Sequence, residues 1–122
     1  MKDLEKALKI TEQCFVLARR LVRFKLTEKY VADELTRYAV FLGADRLAFT
    51  PIISAGESSS KIHPLPSHRK IRNNEFVIVD FGVVCGRSRT DVTRTYCINP
   101  DSRKIKTYNL VKTAQKIAEH KV

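Results

Sequence analysis

The 122-residue sequence predicts an α+β domain. Three observations carry this reading. Apolar residues recur at helical spacing toward both ends, β-branched and aromatic residues fill the stretch 76–96, and Gly82 and Gly86 punctuate that stretch as the turn of a hairpin would. A chain of this length forms one domain, 1–122, and buries about two-thirds of its unfolded surface, enough to hold a core. The expected order is two N-terminal helices, antiparallel strands and a C-terminal helix.

The first helix is expected over about 4–23, where Leu4, Leu8, Phe15, Ala18 and Val22 repeat at helical spacing and form the inward stripe. Thr27 is placed to cap a second helix with Glu28 in its first turn, and Gly43 to end it in a left-handed cap. Tyr30, Leu35, Tyr38 and Leu42 are its expected inward residues. Leu47, Phe49, Ile52 and Ile53 then suggest a strand within 46–55, with Pro51 forcing an edge or a bulge because it lacks a donor. The stretch 56–70, with Ser58-Ser59-Ser60, Pro64 and Pro66, reads as a long loop, and loops of that length are often functional. It carries His63 and His68, of which His68 sits beside Arg69 and Lys70 as a surface residue. After the hairpin, Asn99-Pro100-Asp101-Ser102 is a turn and N-cap signal, and Ile105, Tyr108, Val111, Ala114 and Ala118 mark the last helix.

The chemistry concentrates in the hairpin. Asp80 lies in Phe76-Val77-Ile78-Val79-Asp80-Phe81-Gly82 and Asp91 opens Asp91-Val92-Thr93-Arg94-Thr95-Tyr96, so each carboxylate interrupts an apolar run. With Cys85-Gly86 as a two-residue turn, partner numbers sum to 171 and the two aspartates oppose each other. Opposed residues on one face have Cβ atoms about 4.5–5.5 Å apart, and like charges there are destabilising. A shared proton or a bound cation must compensate, and two hard oxygen ligands suit Mg, Mn, Co or Zn. The alternative is a shifted register in which Asp91, after Ser88-Arg89-Thr90, is a solvated turn residue. By the two-residue period Thr93 shares the face of Asp91, where it orients a ligand or serves as an ordinary strand threonine, and Arg94 points away.

The string Val79-Asp80-Phe81-Gly82 followed by Asp91-Val92-Thr93-Arg94-Thr95 resembles the paired-aspartate signature of the pita-bread metallopeptidases, which include methionine aminopeptidases, creatinase-like proteins and Xaa-Pro peptidases. Upstream, Ser54-Ala55-Gly56 and Ile62-His63-Pro64, with His63 17 positions before Asp80, resemble the region of the family's first functional histidine. The proline-specific branch, prolidase among it, is the nearest in pattern. The resemblance implies that Asp80 and Asp91 are metal ligands, the first holding one ion and the second bridging two, and that His63 contacts substrate or handles a proton without binding metal. It implies two divalent ions in a complete site (Mn, Co or Zn) and a peptide substrate containing proline. Ser88-Arg89-Thr90 departs from the family by lacking the aromatic residue often found shortly before the second aspartate.

The family completes its site with a histidine and two glutamates from a second half-domain, and no such residues follow here. The histidines are His63, His68 and His120, and the only acidic residues after Asp91 are Asp101 and Glu119, both of which read as structural. A two-metal centre takes around four to six protein ligands, so weak binding of one ion is the most expected of these residues alone. The expectation is therefore the first half of a pita-bread domain from a metal-dependent Xaa-Pro exopeptidase, inactive by itself, with an unmatched face that a homodimer would bury. The second reading is a non-catalytic module of the same fold whose basic surface meets nucleic acid or an acidic partner.

Charge and cysteines bound these readings. The net charge of +10 attracts polyanions, with basic clusters at 61–72 and 103–121, yet no aromatic-interleaved strand or nucleic-acid motif accompanies them. A solvated basic face is the better reading, and nucleic acid is not the expected partner. Lys2, Asp3, Glu5, Lys6 and Lys9 break any signal-peptide pattern, and no apolar stretch approaches about 18 residues, so no membrane span is expected. Three cysteines without Cys-x-x-Cys spacing predict free thiols and a reducing, cytoplasmic setting.

Overall fold

The computed structural model describes residues 2–62 and 64–121. The element order is α1 (Lys2–Arg23), α2 (Glu28–Phe41), β1 (Arg46–Leu47), β2 (Ile52–Ala55), a 3-10 turn (Gly56–Ser60), β3 (Phe76–Phe81), β4 (Val83–Cys85), β5 (Ser88–Arg89), β6 (Val92–Cys97) and α3 (Ser102–Lys121). This is the α+β order expected, with one strand more finely divided than its sequence suggests.

Helix α1 begins with Asp3 and Glu5 and ends with Arg20 and Arg23, a charge order that complements the helix dipole. Its buried stripe is Ala7, Ile10, Thr11, Cys14, Ala18 and Val22. Ala18 and Val22 are inward as expected, whereas Leu8 is 48% exposed, Leu4 lies at the rim and Phe15 is half-buried. Small residues decide the face: Ala7, Cys14 and Ala18 allow close approach to the strands, and the larger side chains move to the flank. Burial also pushes the Cys14 thiol up to about 12. Cys14, Cys85 and Cys97 are all free thiols.

Helix α2 is capped by Thr27, whose hydroxyl accepts from the Tyr30 amide at 3.0 Å, and Gly43 follows its end at φ +106°. Val31, Ala32, Leu35 and Ala39 are buried; Tyr38 and Leu42 pack partly against the core, and Tyr30 is exposed, contrary to expectation. Glu28 is also fully buried.

The strands form two three-stranded antiparallel sheets, ordered β1-β4-β5 and β2-β3-β6. The single strand expected within 46–55 divides at Pro51, so that β1 joins one sheet and β2 the other. Along β3 the burial alternates: Val77, Val79 and Phe81 enter the core beneath the helices, and Phe76, Ile78 and Asp80 are only partly covered. The hairpin register differs from the expected one. Its tight turn is Gly86-Arg87, with Gly86 at φ +57°, and partners sum to 173, as in Val84↔Arg89 and Phe76↔Cys97. A positive φ at the first central residue suits a two-residue hairpin turn, and Gly86 adopts it at little cost. The turn therefore starts at Gly86 rather than ending there.

The hairpin changes sheets at Gly82 and Thr90. A Cβ on Gly82 would stand 2.0 Å from the Thr90 carbonyl oxygen, so only glycine permits this crossing. Buried Thr90 locks it: its hydroxyl accepts from the Val83 amide at 2.9 Å and shares a 2.7 Å hydrogen bond with the Thr11 hydroxyl of α1. Helix α3 leaves this assembly with no buried residue. Its N-terminus is fixed by Asp101, whose carboxylate accepts from the Lys104 amide at 2.8 Å and from Asn74 at 3.0 Å.

Candidate metal and peptide site

Asp80 occupies the fifth position of β3, on the sheet surface opposite the one that Val79 and Phe81 turn toward the core. Its cross-strand partners are Ile52 on β2 and Thr93 on β6. Asp91 does not stand directly opposite, as a turn at Cys85-Gly86 would have placed it. It lies just before β6, two residues from Thr93, and is thus the diagonal neighbour of Asp80. Diagonal positions are about 7–8 Å apart at Cα, still within reach for two side chains of one site. Thr90 fixes the residue immediately before Asp91 and Gly82 admits the backbone there, so the sheet crossing positions the second carboxylate.

Both aspartates line one pocket of about 350 Å³, with Phe49, Thr50, Pro51, Ile52, Pro64 and Leu65. That is a volume suited to a small ligand. The Oδ1 atom of Asp80 is shielded from solvent, whereas Asp91 is exposed. The arrangement offers hard oxygen donors on one side and an apolar wall on the other. Two carboxylates in one pocket fit a divalent cation, but among the described residues no group of three or more His, Cys, Asp or Glu side chains comes together. The donor set is therefore a partial one. His63, the expected catalytic histidine, lies outside the described residues.

Thr93 is exposed directly across from Asp80, on the pocket side of β6. Arg94 turns the other way, its guanidinium 6.0 Å from the Phe15 ring centroid on α1. A larger depression of about 1610 Å³ lies elsewhere, between α1, β6 and α3. Its carboxylates, Glu5 and Glu12, share the lining with Lys9, Arg19, Arg23, Arg94 and Lys104, so it lacks the unmixed donor set of the aspartate pocket.

The loop beside the pocket is held at its base. Arg69 forms a bidentate pair with Glu75, one bond being 2.8 Å from Nη1 to Oε2, and the Arg72 amide donates to the same Oε2 at 3.1 Å. The Arg69 hydrogen bond, followed by that of Arg72, holds the Glu75 carboxyl below its ordinary value. Sequence reasoning missed Glu28 and Thr90. Glu28 read only as a first-turn acid and Thr90 only as a turn residue, and neither the burial of the first nor the sheet crossing at the second has a local signal.

Comparison with known proteins places these residues in context. A family model described as metallopeptidase family M24 matches residues 2–122. The Xaa-Pro dipeptidase of Pyrococcus horikoshii is 29% identical over 119 residues, covering 97% of this chain and 34% of that protein. The crystal structure of the prolidase from Pyrococcus horikoshii OT3 superposes with a TM-score of 0.87 at 29% identity, over 96% of this chain and 34% of that one. The recombinant prolidase from Thermococcus sibiricus gives a TM-score of 0.84 at 34% identity, over 96% and 32%. The chain thus spans about a third of the length of the relatives it matches. The two leading helices, antiparallel strands and following helix are the pita-bread arrangement that the paired aspartates implied.

Proposed function

The chain belongs to metallopeptidase family M24, and from that membership we propose that it forms part of a metal-dependent exopeptidase domain of the Xaa-Pro type, with Asp80 and Asp91 as metal ligands. The observation that carries the reading is the meeting of these two carboxylates in one pocket with an apolar wall. Asp80, rooted mid-strand, is the rigid ligand; Asp91, at the mouth of β6, is the one placed to reach a second ion. Divalent ions bound there would polarise a peptide carbonyl and lower the pKa of water. The chain's own residues do the rest. Phe49, Pro51, Ile52, Pro64 and Leu65 exclude water around an apolar substrate group, and the Thr93 hydroxyl stands beside Asp80 to orient its carboxylate. His63 is proposed to contact the substrate or handle a proton.

Two carboxylates cannot hold two ions in catalytic geometry, so the 122-residue chain by itself is expected to bind one ion weakly and to hydrolyse nothing. Calorimetric titration with Mn or Co should detect binding that Asp80→Asn removes, and assays with Ala-Pro should show no proline release. Metal-dependent proline release by the pure chain, abolished by Asp91→Ala, would overturn the inactivity. Unchanged ion binding in Asp80→Asn would overturn the ligand assignment.

A further inference from the structure

Glu28 is fully buried, and a glutamate is almost never so unless its charge is satisfied. Here each carboxylate oxygen serves one end of the loop between β2 and Lys70. Oε2 accepts from the Ala55 amide at 2.7 Å and from the Ser58 hydroxyl at 2.5 Å. Oε1 accepts from the Ser67 amide at 3.1 Å and from the Ser67 hydroxyl at 2.7 Å. Four donors fill the roughly four lone-pair sites of an ionised carboxylate. The helix backbone adds to the grip: the Glu28 amide donates to the Arg69 carbonyl at 3.0 Å and the Lys29 amide to the Ser67 carbonyl at 2.9 Å. Between the two clamped ends lie Pro64 and Leu65, which face Asp80 and Asp91 across the pocket.

We infer that Glu28 is a positioning residue for the peptide site: by clamping both ends of the 56–67 loop it sets where Pro64 and Leu65 stand as the apolar wall opposite the two aspartates. This rests on the peptidase reading for what the wall receives, but not for the clamp itself. A neutral core residue could pack α2 equally well. Only a group with two acceptor oxygens joins two loop ends at one point, and hydrogen bonds to a charged acceptor are about twice as strong as neutral ones.

The test uses the full chain with Glu28→Gln and Ser67→Ala. A glutamine amide would meet a backbone N–H with another donor at one end, a conflict that a backbone amide cannot rotate away from. Hydrogen exchange read by mass spectrometry should accelerate about tenfold across 57–67 in Glu28→Gln, and less in Ser67→Ala, with β3 and β6 unchanged. The shift is local because only loop contacts are lost. If Glu28→Gln does not fold, Ser67→Ala alone decides. Loop exchange that stays at the wild-type rate, or an acceleration spread evenly over the sheets, overturns the inference. In parallel, methyl NMR of Leu65 during titration with Ala-Pro and Zn should show binding weakened at least fivefold in both variants relative to wild type. Wild-type chain that binds neither Zn nor Ala-Pro would count against the peptidase reading and leave exchange to judge the clamp.

Discussion

At the scale of single residues, the site depends on groups that never touch a ligand. Thr90 satisfies the buried Val83 amide and pairs with Thr11, and it directly precedes Asp91. Thr90→Val keeps the shape but strands a buried amide, a loss of about 1–3 kcal/mol. Gly82→Ala drives a Cβ against the Thr90 backbone, and because that neighbour is backbone the chain itself must shift. Overpacking of this kind costs typically about 1–3 kcal/mol, occasionally more. Urea unfolding should place both variants well below wild type, and Gly82→Ala should also weaken ion binding, since the displaced segment leads into Asp91. A Gly82→Ala protein of wild-type stability would disprove the crossing constraint. Glu75 makes a pH prediction. Its folded pKa is depressed below the ordinary 4.5, first by the Arg69 hydrogen bond. The stabilisation is therefore present above about pH 4.5 and lost as pH falls through the lowered folded value. Glu75→Gln should remove that acid limb from a plot of stability against pH, whereas an unchanged limb would assign it to other carboxylates.

At the scale of elements, helix ends and strand runs were legible in the sequence because their signals are local. The Thr27 cap, the Gly43 stop, the Asp101 cap and the two aspartate-bearing strands all lie where the residues put them. What escaped depends on tertiary contact. The buried face of α1 follows from the small residues Ala7, Cys14 and Ala18, chosen by proximity to the strands over the larger Leu4 and Leu8. The hairpin slipped by one residue at its turn because both Cys85-Gly86 and Gly86-Arg87 contain the glycine, and only the backbone φ tells them apart. That slip is why Asp80 faces Thr93 while the pairing of the aspartates survives as a diagonal. Helix α3 shows the other limit of local signals. It buries no residue, and a 20-residue helix without packing is marginal in water. Its order rests heavily on the Asp101 cap, so Asp101→Ala should cost the helix about 0.5–2 kcal/mol. Amide exchange in α3 should then rise while the urea midpoint of the core is unmoved; a core destabilised in parallel would mean that α3 packs more firmly than its exposure indicates.

At the scale of the whole molecule, the distribution of apolar surface is uneven. The core is sealed between α1, α2 and the strands, yet Leu8 of α1 and Ile105 and Tyr108 of α3 line a broad groove, with Ile105 48% and Tyr108 43% exposed. Contiguous apolar surface of this kind on a protein usually marks an interface. Opposing association is the net charge of +10, whose repulsion between copies is long-ranged at low salt. At about 0.15 M salt the screening length falls to about 8 Å, shorter than the separation of most surface charges on two docked copies, so apolar burial then decides. The 122-residue chain expressed alone is thus expected to form a homodimer across this groove, weak at low ionic strength and stronger at physiological salt, through the two-fold contact by which most such faces are buried. Sedimentation velocity should find the dimer fraction rising with both protein concentration and salt, and Tyr108→Lys should return the chain to monomer without altering its urea midpoint. A species that remains monomeric at high concentration and high salt would show that the groove is not self-complementary.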